Sequence, residues 1–239
     1  MKRLLAIGVV LLLALVACGG GKPAATSVPS VASSGSTVDG SARLTAAVAK
    51  TAGQSFTFTV GEPNDTVTGQ YDASAKAAKL TTPDSGDDIV TMGTDMWATV
   101  DKTVQHYNAL KFTADDSMAL LTDPTAAVRF MAAASKVTTT GDGAFRGIVD
   151  LSGVPPENAA TKHLADILAQ RVGAAAKAVP FSAKVDAQGR LTEVDLTLPK
   201  ADNGKDADYQ FIVTAFSISA PVTRPTGQIV EAPDDAYRD

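Results

Sequence analysis

The chain has 239 residues, with 21 Lys+Arg against 26 Asp+Glu, a net charge of −5 and a single cysteine. That acidic balance excludes nucleic acid as a natural partner, because neutralising phosphates takes a basic face. It also excludes a broad basic patch that would hug anionic lipid headgroups, while the 45% hydrophobic content suffices for an ordinary core.

The first element is a leader. Lys2 and Arg3 precede an uncharged run, mostly of Leu, Val, Ala and Ile, from Leu4 to Val16, which is the length of a signal-peptide apolar region and too short for a comfortable membrane span. It ends in Leu15-Val16-Ala17-Cys18, a lipobox. Residues 1–17 are therefore expected to be a lipoprotein signal peptide, and Cys18 the lipidated residue. Cleavage leaves 19 basic against 26 acidic residues, a charge of −7, and no second cysteine for a disulfide. Acyl chains on Cys18 would anchor the protein at the extracytoplasmic face of the cell membrane. Residues 18–40 are rich in Gly, Ser, Pro and Thr and predict a flexible tether.

One folded domain is expected over residues 41–230. Leu44, Ala47 and Val48 have helical spacing, with Ser41 as N-cap and Gly53 as stop. Ser55 to Val60 alternates with period two and predicts a strand. Further strands are expected at Val67 to Tyr71 and Ala77 to Thr82, about the turn Asp72-Ala73-Ser74, and at Ile89 to Met92 and Met96 to Val100. Residues 101–122 read as irregular. Asp123-Pro124 opens a helix to about Ala134. Phe145 to Leu151 predicts a strand, and Thr161 to Val179 a helix. Phe181 to Asp186 and Arg190 to Leu198 predict a hairpin, with Tyr209 to Ser219 as a long strand beside it. The acidic tail, residues 231–239, is expected to fray. Asp72-Ala73-Ser74 echoes Asp186-Ala187-Gln188, so the halves repeat loosely. The order fits an α+β fold: one antiparallel sheet with helices packed on one face.

Catalytic constellations do not emerge. The chain has only His106 and His163, and no zinc, nucleophile-elbow or phosphate-loop motif. His106 reads as a loop residue and His163 as a surface residue. Asp202, Asp206 and Asp208 lack the closing Glu of a calcium loop and read as a solvated hairpin; Asp84, Asp87 and Asp88 read alike. Asp115 and Asp116 lack a partner carboxylate. No enzyme, metal or cofactor is expected.

The lipobox, the Ser/Gly/Pro tether, the run Ala183-Lys-Val-Asp-Ala-Gln-Gly-Arg-Leu191 and the closing segment Phe216-Ser-Ile-Ser-Ala-Pro-Val-Thr-Arg-Pro225 resemble the LppX/LprA/LprF/LprG lipoproteins of actinobacteria, over roughly residues 43–225. The resemblance implies a LolA/LolB-like half-barrel whose concave face holds the helices and encloses an apolar cavity for acyl chains. It implies a non-catalytic protein that binds or carries a lipid or glycolipid, with an envelope transporter or acceptor protein as further partner. Strand alternation and helical spacing then put Phe56, Phe58, Met92, Val128, Met131, Phe145, Leu164, Leu168, Val194 and Ile212 on the inward, lipid-facing side. The alternative is an envelope adaptor with a filled core and no lipid cargo.

Overall fold

The computed structural model describes residues 37–62, 65–82, 88–100, 102–141 and 143–237. The expected signal peptide, Cys18 and residues 19–36 of the tether lie outside them. Helix α1 (Thr37–Ala52) leads into six strands: β1 (Phe56–Glu62), β2 (Asp65–Asp72), β3 (Ala77–Thr81), β4 (Asp88–Met92), β5 (Asp95–Val100) and β6 (Thr103–Asn108). After two 3-10 turns come α2 (Ala126–Phe130), β7 (Ala134–Thr139), β8 (Ala144–Val149) and α3 (Ala159–Val172). Strands β9 (Val179–Val185), β10 (Leu191–Asp202) and β11 (Lys205–Ala215) follow, and a short β12 (Ile229–Glu231) closes the chain.

All twelve strands form one open, curved sheet in the order β12-β6-β5-β4-β3-β2-β1-β11-β10-β9-β8-β7. Two antiparallel meanders, β1 to β6 and β7 to β11, meet back to back where β1 pairs with β11. Only β12, on the outer edge of β6, runs parallel to its neighbour. The helices pack against the sheet, α1 on β7 and β10, and α3 on β10. This is the α+β half-barrel expected from the sequence.

The loose repeat has a physical basis. Asp72 Oδ1 accepts the amides of Ser74 and Ala75, and Asp186 Oδ1 accepts those of Gln188 and Arg190, so one aspartate organises the corresponding turn in each meander. In each meander, too, a strand glycine sits opposite an aromatic. Phe58 pairs with Gly69, and Phe181 with Gly147. A Cβ at either glycine would lie 2.7 Å from its partner's ring, so the ring takes the place of the missing side chain.

The two faces of the sheet differ. Phe56, Phe58, Phe211, Val194, Leu196 and Leu80 belong to the main core under the helices. A smaller cluster of Ala77, Val90, Trp97 and Val222 lies apart from it. Residues 216–228 supply Val222 to that cluster: its N–H bonds Asp72 Oδ2 at 3.2 Å, and the Arg224 guanidinium lies 5.1 Å from the Trp97 ring centre.

Several expectations are corrected. Helix α1 starts at Thr37, inside the expected tether, and Gly40 is buried. Thr51, near its end, fastens it to the sheet: the buried hydroxyl donates to Ala47 O at 2.9 Å and accepts Leu191 N–H at 2.7 Å. Residues 103–108 are strand β6, because Thr103, Gln105 and Tyr107 pair across β5 although only Tyr107 is strongly apolar. The helix expected from Asp123 to about Ala134 is shorter, α2 at Ala126–Phe130 with a 3-10 turn after it, and residues 134–139 are strand β7, absent from the expected elements. The acidic tail is docked as far as Tyr237. That ring is 5% exposed, packs on Tyr107 and Phe112, and its hydroxyl accepts Asn108 N–H at 2.9 Å.

Candidate functional site

Eight of the ten inward-facing candidates come together. Phe56, Phe58, Val128, Met131, Phe145, Leu164, Leu168 and Val194 share the main core, none more than 4% exposed. The Phe56 ring centre lies 5.2 Å from that of Tyr71 and 5.9 Å from that of Phe211, and Phe58 is 5.4 Å from Phe211. Met92 and Ile212 are corrections. Met92 packs with Ala77, Val90 and Trp97, because Ile89 takes the inward phase of β4. Ile212 is half-buried opposite Thr59 and Glu193, because Phe211 and Val213 take the inward phase of β11.

Side chains fill the core at these eight positions, and open space lies beside it. A cleft of about 500 Å³ runs between α1 (Val48, Ala52), the β2–β3 turn (Tyr71, Ala73, Lys76), α2 (Arg129) and the start of α3 (Asn158, Thr161), with Val154 and Pro155 completing the wall. This size is typical of small-molecule sites. A recess of about 30 Å³ lined by Ala52, Phe56, Tyr71, Val128 and Arg129 adjoins the cleft on the core side. Of the ten candidates, Phe56 and Val128 therefore border it.

A second recess is polar and shares Tyr71, Lys76, Arg129 and Asn158 with the cleft. There Asp123, with an 8% exposed side chain, receives Arg129 Nη1 at 2.8 and 2.7 Å. The Thr161 hydroxyl also donates to Asp123 Oδ2, and the Thr125 hydroxyl donates to Oδ1 at 2.9 Å. Asp123 thus ties α2 to α3, and its buried charge is matched by a cation and two hydroxyls. The buried Tyr209 hydroxyl has no hydrogen-bond partner among the described residues, and burial together with the Asp123 charge pushes its pKa far above the ordinary phenol range. These polar residues escaped sequence reasoning. The available signal was Arg129 itself, the one charge in Ala126-Ala-Val-Arg-Phe-Met-Ala-Ala133.

Both histidines also depart from expectation. His163 is partly buried, its Nε2 2.9 Å from Phe112 O. His106 stands in β6, stacked on Trp97, with Nε2 2.8 Å from Asp95 and Nδ1 2.9 Å from Glu231 of β12. Burial disfavours its charged form, but the hydrogen bonds to Glu231 and Asp95 outweigh this and raise its pKa above the ordinary value. Asp202, Asp206 and Asp208 occupy the β10–β11 hairpin, where Asp206 accepts Lys200 N–H and Asp208 accepts the Thr197 hydroxyl. Asp116 caps the 3-10 turn at Ser117–Leu121. Among the described residues no group of His, Cys, Asp and Glu is arranged to hold a metal ion, and no helix is long and apolar enough to cross a membrane.

No family model matches the chain, and no curated protein matches it. Among solved structures the chain is similar to LprF from Mycobacterium bovis, with a TM-score of 0.48 and 13% identity over 79% of this chain and 97% of that one.

Proposed function

We propose that this protein is an exported, lipid-anchored envelope protein that takes the apolar part of an amphiphile into the cleft between α1, the β2–β3 turn, α2 and α3. The leader and the lipobox at Cys18 support the anchor. The cleft supports the cargo: Val48, Ala52, Tyr71, Val154 and Pro155 give it an apolar wall, and the recess at Phe56 and Val128 adjoins it on the core side. Burying an acyl chain there is favourable by about 25 cal/mol per Å² removed from water, and binding needs no covalent step.

Ala132 lines the cleft and is exposed, so Ala132→Trp should fill it at little cost to folding. The test is mass spectrometry of organic-solvent extracts from purified protein. Lipid should accompany the native chain and be depleted in Ala132→Trp, and equal lipid in both would refute the cleft as its place. The filled core favours a second reading, an adaptor without lipid cargo that binds another envelope protein through its surface. A lipid-free native protein would establish that reading over the first.

A further inference from the structure

We propose that the cleft is specific for an anionic amphiphile, with Arg129 and Lys76 holding a phosphate or carboxylate group while Val48, Ala52 and Val154 take the attached chain. The proposal rests on the amphiphile-binding reading above and adds the class of headgroup.

The state of the Arg129 guanidinium carries the argument. A guanidinium meets an oxyanion best through two parallel N–H bonds. Here Nη1 alone bonds Asp123 Oδ1, Asp123 Oδ2 and the Thr125 hydroxyl. Nε and Nη2 make no hydrogen bond to the protein among the described residues, yet the side chain is 31% exposed and lines the cleft and both recesses. Asp123 therefore orients the guanidinium and leaves unused the edge that would pair with a second anion.

Lys76 lines the same cleft. It is exposed, forms no ion pair among the described residues, and holds a left-handed backbone at φ +50, which is unfavourable for a side chain of its kind. The neighbouring carboxylate, Asp72, accepts hydrogen bonds from Ser74, Ala75 and Val222 and is not paired with Lys76, although its charge offsets part of the lysine's field. Glu157 also lines the cleft, exposed, and offsets part of the field. The two cations and the acid thus make opposite predictions in one binding site.

The test is calorimetric titration of the full mature chain carrying Cys18→Ala, stripped of co-purified lipid. Monododecyl phosphate, dodecanoate, dodecyl maltoside and inorganic phosphate are each added below their micellar concentrations. One or both anionic amphiphiles should bind at least about tenfold more tightly than the maltoside, as expected for a charge-assisted contact. Inorganic phosphate alone should give no heat at the same concentrations. Lys76→Gly should weaken the anionic amphiphile about threefold, the scale of an exposed ion pair, and Glu157→Gln should strengthen it by a similar factor. Neither should alter maltoside binding, and Lys76→Gly should not lower the melting temperature, because glycine accepts the backbone angle. Equal binding of maltoside and anion, indifferent to both variants, would overturn the anionic site and leave the amphiphile reading standing. No binding of any amphiphile would overturn both. Inorganic phosphate binding as tightly as its dodecyl ester would overturn the amphiphilic ligand class.

Discussion

Replacing Val194 with phenylalanine distinguishes a filled concave face from a hollow one. Val194 is fully buried in β10, opposite Ala183 of β9 and Phe211 of β11, in a core that also holds Phe58 and Leu164. A ring at that position must displace neighbours already in contact, at a cost of about 1–3 kcal/mol. For a domain of this size, a mid-range cost of about 2 kcal/mol corresponds to a melting temperature lower by about 4–8 °C. Urea titration of the soluble Cys18→Ala chain reads the free energy directly, with the denaturant midpoint falling and its slope unchanged. Ala132→Trp is the control, because the same kind of enlargement in the open cleft should stay within about 0.5 kcal/mol of the parent. If Val194→Phe were as neutral as Ala132→Trp, the face beneath the helices would hold space, and the cargo would belong there instead of in the cleft.

Cys18→Ala should move the protein from the membrane fraction to the soluble fraction; persistence on carbonate-washed membranes would refute the lipid anchor. Thr51→Val should cost about 1–3 kcal/mol, because it leaves the buried Leu191 N–H without a partner, whereas Thr51→Ser should cost less. A Val variant equal to the parent in urea titration would mean that this tie between α1 and β10 is dispensable. His106 has a folded pKa above its ordinary 6.5, so its stabilisation of β12 is complete below that value and fades as pH rises through the folded one. Hydrogen exchange at Ala232, whose N–H bonds His106 O at 2.9 Å, should show this loss after correction for intrinsic rates. His106→Gln should abolish the dependence.

Where polar and apolar residues alternate without ambiguity, the sequence was readable. Val194, Leu196 and Leu198 are spaced by two, with Asp195 and Thr197 between them, and all three are buried. Phe56, Phe58 and Val60 obey the same rule. The errors fall where neighbouring residues are both apolar. Phe211-Ile212-Val213 can take either phase, and Tyr209 on one side of it was the clue to the correct one. In β4 the correct phase turns a threonine, Thr91, towards the buried side, and Val222 covers the other face, so neither side of that strand reads as solvent. The cleft was illegible for a different reason. Its parts come from residues 48 to 161 and meet only after both meanders are formed, and its key cation is one arginine in an alanine-rich helix.

The meeting of the two meanders also fixes an order of assembly. Within each meander every strand pairs with its neighbour in sequence, and apart from the β8–β9 connection, which carries α3, short loops close early and at small entropic cost. The seam differs, because the Thr57 hydroxyl meets Ala215 O across a separation of 158 residues. Strand β1 is therefore an open edge, able to template foreign strands, until the last residues of β11 exist to cover it. Nearly the whole chain must be present before this edge is covered, so nascent and truncated chains carry an aggregation hazard at β1 that the finished protein lacks.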